Sequence, residues 1–249
     1  MQRMQSRRFH EDFPATSFLL LFIIALFALE VVETYRIHEQ LPALFGFGGI
    51  DGNVLRRLGW FELEFVENGE VWRLLTAVFL HGGFLHILFN GFVLYDLGAM
   101  SEARLGTWKF FVVFALSGIG GTVGTLLWNL YNRDWGGSGR IYPSVGASGA
   151  LAGLIGLWLV YSLTQRDEEM RNGLLRWIMY IVLLSVFMGG IDHAGHIGGF
   201  IAGGLLGLTV RSAYATSREA QRWRYPGYAC AAIVAVAIGC GLWNFFQER

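Results

Sequence analysis

Two short motifs hold the side chains best suited to covalent chemistry. Gly146-Ala147-Ser148-Gly149 presents a hydroxyl, and His196-Ile197-Gly198-Gly199 presents an imidazole. A serine becomes a competent nucleophile when a neutral imidazole takes its proton, which is the minimum for acyl transfer. The same chemistry needs donors for the negative charge that develops on the attacked oxygen. His86 and Asn90, four apart and so on one helix face, could supply them together with the Ser148 backbone N–H. Asp192 lies one helical turn before His196. It is either a third member of the set or, the preferred reading, a helix N-cap. Each residue alone has an ordinary explanation: a serine in an apolar helix bonds back to its own backbone, and a lone histidine there hydrogen-bonds a neighbouring helix. The case for chemistry rests on all of them lying at one depth, which depends on the elements that carry them.

Those elements follow from composition. Of 249 residues, 54% are hydrophobic and 15% charged, with a mean hydropathy of +0.45, whereas a soluble domain carries about 25% charged residues. Seven long stretches lack Asp, Glu, Lys and Arg: 13–29, 74–95, 110–132, 141–165, 177–191, 193–210 and 225–247. A bilayer core needs about 20 apolar residues per helix, so the pattern predicts an all-α, polytopic membrane bundle of seven spans. The fifth reaches spanning length only if Arg176 snorkels to the interface. Glu30 and Glu33, at the end of the first span, are expected to be interfacial or bonded to a neighbour.

Net charge is zero, which gives no sign of nucleic acid. Cys230 and Cys240 are ten apart on one expected helix and cannot pair. No A-x-A cleavage site follows the first run, which predicts a retained span or signal anchor, and the chain contains no Asn-x-Ser/Thr sequon. Placing the N-terminus in the cytoplasm puts 12 of the 19 Lys and Arg inside and 7 outside, as the positive-inside rule favours. Spans 2, 4 and 6 then all begin at the outer face. His81, His86 and Asn90 open the second, Ser144 and Ser148 the fourth, and Asp192, His193 and His196 the sixth. Polar groups inside spans mark sites by default. Gly149 and Gly153 on span 4, and the row Gly195, Gly199, Gly203 and Gly207 on span 6, let two backbones approach closely, which would bring Ser148 to His196.

In this order the residues resemble the rhomboid family of intramembrane serine proteases, over about residues 70 to 207. The resemblance is carried by Trp72-Arg73, by His81, His86 and Asn90 in HGGFLHILFNG, by Glu102-Ala-Arg104-Leu-Gly106, by Gly146-Ala-Ser148-Gly149, and by His196-Ile-Gly198-Gly199 with Gly203. It implies a six-helix core with an extra C-terminal helix, the six-plus-one form. The organisation is then a cytoplasmic tail at 1–16, a core at 17–211 with a long first loop at 36–73, and a basic linker and seventh span at 212–249. Ser148 would be the nucleophile and His196 the base, with His86, Asn90 and the Ser148 N–H in the oxyanion hole. His81 would be supportive, Trp72 and Arg73 would belong to the first loop, and Glu102 would pair with Arg104. The substrates implied are single-pass transmembrane proteins in the bilayer, cut near their outer ends, with span 5 and the loop around 189–195 as a lateral gate. No cofactor and no metal are expected. One departure stands out. The family often stacks an aromatic residue four positions after the serine on the catalytic histidine, and here that position is Ala152, so either His196 is held less firmly or another ring such as Phe200 or Trp158 substitutes.

Three other readings fit less well. A catalytically silent scaffold that binds transmembrane clients is the alternative, although its kind typically lacks the serine or histidine retained here. A transporter would show paired repeats and midplane charges, and a metal site built on His81, His86, His193 and His196 would gain only Asp192 as a further ligand. A bacterial inner membrane is the expected location.

Overall fold

The computed structural model describes residues 8–42, 49–138, 141–187, 191–212 and 214–247. The long helices are α1 (Pro14–His38), α2 (Phe84–Leu105), α3 (Thr107–Asp134), α4 (Ser148–Gln165), α5 (Glu168–Phe187), α6 (His193–Gly207) and α7 (Arg224–Gln247). Among the described residues the β pairing is a single bridge, Phe61 to Ser144. Each apolar run falls on one of the seven helices, so the all-α bundle is as expected. By length and composition α1, α2, α3, α4 and α7 can cross a membrane. The 15 residues of α6 extend about 22 Å at 1.5 Å per residue, less than the ~30 Å hydrocarbon layer.

Helix boundaries depart from the charge-free runs for a physical reason: such a run measures apolarity, not helicity. The run 74–95 is broken. Arg73–Thr76 and Ala77–Phe79 form short turns, the backbone is extended at Leu80 and Gly83, and α2 begins only at Phe84. It then continues past Asp96 through a wide turn at Leu94–Gly98. The run 141–165 turns helical only at Ser148, after Pro143 and after Gly146 at φ +119°, a value that suits glycine. Helix α5 starts at Glu168, ahead of its run, and α1 carries Glu30 and Glu33 within it. Both acids are bonded to neighbours. Glu30 is buried and accepts the His81 N–H at 3.3 Å, while Glu33 pairs with Arg36 at 2.6 Å.

The centre of the bundle is α3, α4 and α6, packed on small residues as the glycine rows predicted. A methyl group on Gly199 would strike the Gly149 carbonyl, and one on Gly203 the Gly153 carbonyl. Helix α3 joins through a row of its own that the sequence analysis did not single out: Gly124 faces Gly198, and Gly120 faces Ala202. Such approach maximises dispersion contact, the main attraction between helices in lipid.

The described part of the first loop is held by capping and ion-pair contacts. Asp51 caps the helix Gly52–Leu58 through the N–H groups of Asn53 and Val54. Arg73 is buried, bonded to Glu70 at 2.8 Å and to the Arg56 carbonyl at 2.7 Å, with its guanidinium over Phe65. Trp72 lies against Gly59 and Gly241, so this Trp-Arg pair joins the loop to α7. Arg57 in turn bonds the Phe245 carbonyl and lies over its ring, and Asn244 bonds the Arg57 carbonyl at 3.1 Å. At its other end α7 packs Gly227 on Trp108.

Glu102 and Arg104 do not pair with each other among the described residues, which corrects the expected ion pair. Glu102 is buried and accepts the Ala15 and Thr16 N–H groups at 3.0 and 2.8 Å and the Thr16 hydroxyl at 2.8 Å. It thus satisfies donors that the first turn of α1 leaves open. Arg104 lies over the rings of Trp158 and Tyr214.

Candidate active site

Ser148 opens α4, and His196 sits in the first turn of α6. The crossing of these helices on their glycines brings Ser148 Oγ to 2.8 Å from His196 Nε2. The structure therefore joins the two residues that the sequence singled out, 48 positions apart.

His86 and Asn90 lie on α2 on the far side of the turn that leads to Ser148. A methyl group on Gly146 would lie 2.7 Å from His86 Cε1 and 3.8 Å from Asn90 Nδ2. Glycine thus lets both side chains approach the turn. The Asn90 amide donates to the His86 carbonyl at 2.9 Å. The His81 ring is fully buried and packs edge-on against His86, with centroids 5.1 Å apart, and its Nδ1 meets the Phe79 carbonyl at 3.2 Å. The ends of α2, α4 and α6 that carry these groups lie together, as the shared depth required.

Asp192 is the N-cap of α6, with Oδ1 accepting the Gly195 N–H at 2.8 Å. Among the described residues no hydrogen bond joins its carboxylate to the His196 ring. Its other oxygen, Oδ2, accepts the hydroxyl of Ser144, which the sequence placed in the same polar layer, at 2.7 Å, and also that of Thr125 from α3, which it did not. A hydroxyl residue inside an apolar helix signals nothing by type, so only the fold could reveal Thr125. Thr125, Ser144, Gly146, Ser148, Asp192 and His196 line a cavity of about 20 Å³, room for one water molecule.

No ring stacks on His196 among the described residues, so neither expected substitute for the missing aromatic serves. Trp158 is held elsewhere, donating Nε1 to Ser101 at 2.8 Å and packing on Tyr161. Phe200 meets Gly156 of α4 with its carbonyl instead. Gly189 and Gly190 of the expected gate lie outside the described residues, whereas Trp177 of α5 touches Phe92 of α2, with ring centroids 5.9 Å apart. His193 is exposed at the start of α6. Among the described residues no cluster of His, Cys, Asp and Glu has the makings of a metal site.

Comparison with known proteins follows the same outline. The rhomboid domain family model matches residues 68–213. The chain is 39% identical over 160 residues to RHOMBOID-like protein 5 of Arabidopsis thaliana, covering 63% of this chain and 49% of that one. It is 32% identical over 160 residues to the rhomboid protease GluP of Bacillus subtilis, covering 63% and 29%. It is 30% identical over 188 residues to Rhomboid-like protease 1 of Toxoplasma gondii, covering 73% and 60%. The chain thus spans about half or less of the length of the first two relatives. Its apolar helices make it a multi-pass integral membrane protein, and with more than half of its residues inside the family match, the chain belongs to the rhomboid family.

Proposed function

We propose that this protein is an intramembrane serine endopeptidase that works through an acyl-enzyme, with Ser148 as nucleophile and His196 as general base. The observation that carries the reading is the 2.8 Å contact between Ser148 Oγ and His196 Nε2 at a helix-end cavity. The protease names of the Bacillus and Toxoplasma relatives support the activity class.

In this reading Oγ adds to the scissile carbonyl carbon while its proton passes to Nε2, and the carbonyl electron pair moves onto oxygen. Collapse expels the amine, which leaves with the proton from His196. Water then adds to the ester with His196 taking its proton, and Ser148 departs with that proton as the acid product forms. One peptide bond and one water become one carboxylic acid and one amine. The oxyanion is held by the Ser148 N–H, left open at the first turn of α4, and by His86 and Asn90 across the Gly146 turn, at the positive end of the helix dipole.

Substrates are single-pass transmembrane helices cut near their outer ends. The end of the bundle that carries the site faces outward and the N-terminus lies in the cytoplasm, supported by the split of 12 Lys and Arg inside against 7 outside. A peptide strand can be opened at that end because it lines a cavity rather than lipid.

The test is reaction of the purified protein with a serine-directed fluorophosphonate, which needs no known substrate. Wild type is expected to label, and both Ser148→Ala and His196→Ala are expected to lose at least 95% of the signal, on the order of the loss when a nucleophile or its base is removed. Folded wild type that does not label overturns the reading and favours a client-binding scaffold without catalysis.

A further inference from the structure

Two cross-links of the same pattern join the start of α4 and the chain just before it to the start of α6. Ser148 meets His196 at 2.8 Å, and four residues earlier on each side Ser144 meets Asp192 at 2.7 Å. The second link is anchored outside both helices. Thr125 of α3 donates to the same Asp192 oxygen. Ser144 is also bridged to Phe61 of the first loop by backbone bonds of 2.9 and 3.0 Å. One turn beyond Thr125, Asn129 holds the Tyr142 carbonyl at 2.9 Å, which steadies the same segment.

Resting on the reading above, we propose that Asp192, Ser144 and Thr125 form a positioning cluster that sets the separation and orientation of Ser148 and His196. An N-cap needs one carboxylate oxygen, and Gly195 takes it. The second oxygen accepts from two hydroxyls of two other elements, Ser144 and Thr125, the latter also lying 3.3 Å from the Gly121 carbonyl of its own helix. With three of its roughly four acceptor positions taken, the carboxylate makes no hydrogen bond to the imidazole among the described residues. It fixes the two backbones that carry the reacting groups instead, and misplacement by 1 Å can cost about 100-fold in rate. Charge-assisted hydrogen bonds of this length are among the stronger ones available inside a protein, so the cluster can hold that geometry.

The test separates this role from capping alone. Asp192→Ser keeps a good N-cap but is too short to reach Ser144 and Thr125. Ser144→Ala and Thr125→Val remove one donor each and leave the cap untouched. The rate of fluorophosphonate labelling is expected to fall about 10-fold or more in Asp192→Ser and by a smaller factor in the other two. Ser144→Ala is expected to add little on top of Asp192→Ser, and Ser144→Thr, which keeps the hydroxyl, to recover most of the rate. Thermal midpoints confirm that each variant is folded. Rates within twofold of wild type in Asp192→Ser and Ser144→Ala reduce Asp192 to a cap and overturn the proposal. The ¹⁵N shifts of His196 in histidine-labelled protein give an answer that does not need reactivity, because they report its bond to Ser148. They are expected to move in Asp192→Ser and Ser144→Ala, and unchanged shifts overturn the cluster. Wild type that fails to label while these shifts still respond would sink the acyl-transfer reading and leave the cluster standing.

Discussion

Asp51 shows how one side chain can hold a loop and how pH can release it. Its carboxylate caps the helix Gly52–Leu58 and meets His38 at 2.9 Å. Desolvation pushes its pKa up, but the hydrogen bonds from His38, Asn53 and Val54 outweigh that and hold it below the ordinary aspartate value. A depressed carboxyl stabilises the fold above its unfolded pKa, and that contribution is lost as pH falls through the folded value. Amide protection at Asn53 and Val54 is therefore expected to be steady above about pH 4 and to drop below it, measured by hydrogen exchange, with Asp51→Ala lacking the protection at every pH. At this scale the sequence was partly legible. Ser148 and His196 could be found because few residue types do their chemistry. Glu102 was misread because its partners lie 86 and 87 residues away, beyond any local pattern, while Arg104 offered a plausible neighbour two positions on. Ser144 was singled out only as a polar residue at the start of the fourth run, with no partner assigned, and Thr125 gave no signal at all.

At the scale of elements, the small-residue rows decide whether a site exists. The approach of α6 to α4 depends on Gly203, where a side chain would collide with the backbone of Gly153. Overpacking of this kind costs about 1–3 kcal/mol. Gly203→Val is expected to lower the thermal midpoint and to cut fluorophosphonate labelling at least tenfold, since the shift of α6 carries His196 with it. The same substitution at Gly239, where an added Cβ meets nothing within 4 Å, is expected to do neither. Element identity was readable from charge-free runs, and element ends were not. The α2 start at Phe84 is set by the extended Gly83, and the α4 start by a turn at Gly146 that only φ reveals.

For the molecule as a whole, α7 is fastened at both ends rather than adrift in lipid. Phe245 is fully buried and held to Arg57 of the first loop. Phe245→Ala is expected to cost roughly 3 kcal/mol, seen as a lower thermal midpoint. The labelling rate of protein that remains folded is expected to stay within twofold, because Phe245 secures α7 to Arg57 of the first loop, whereas Ser148 and His196 are held by α3, α4 and α6. The order of the seven long helices could be read from the sequence, whereas the docking of α7 on the first loop joins positions 57 and 244, 187 residues apart, and could not.

The interlock of α3, α4 and α6 also has a mechanical consequence. Backbone carbonyls of one helix sit in the glycine notches of the next, and the two cross-links lie side by side, so sliding α6 along α4 would break every one of these contacts together. These contacts couple the three helices into one block, and Ser148 and His196, 2.8 Å apart, are held together by it rather than by either helix alone.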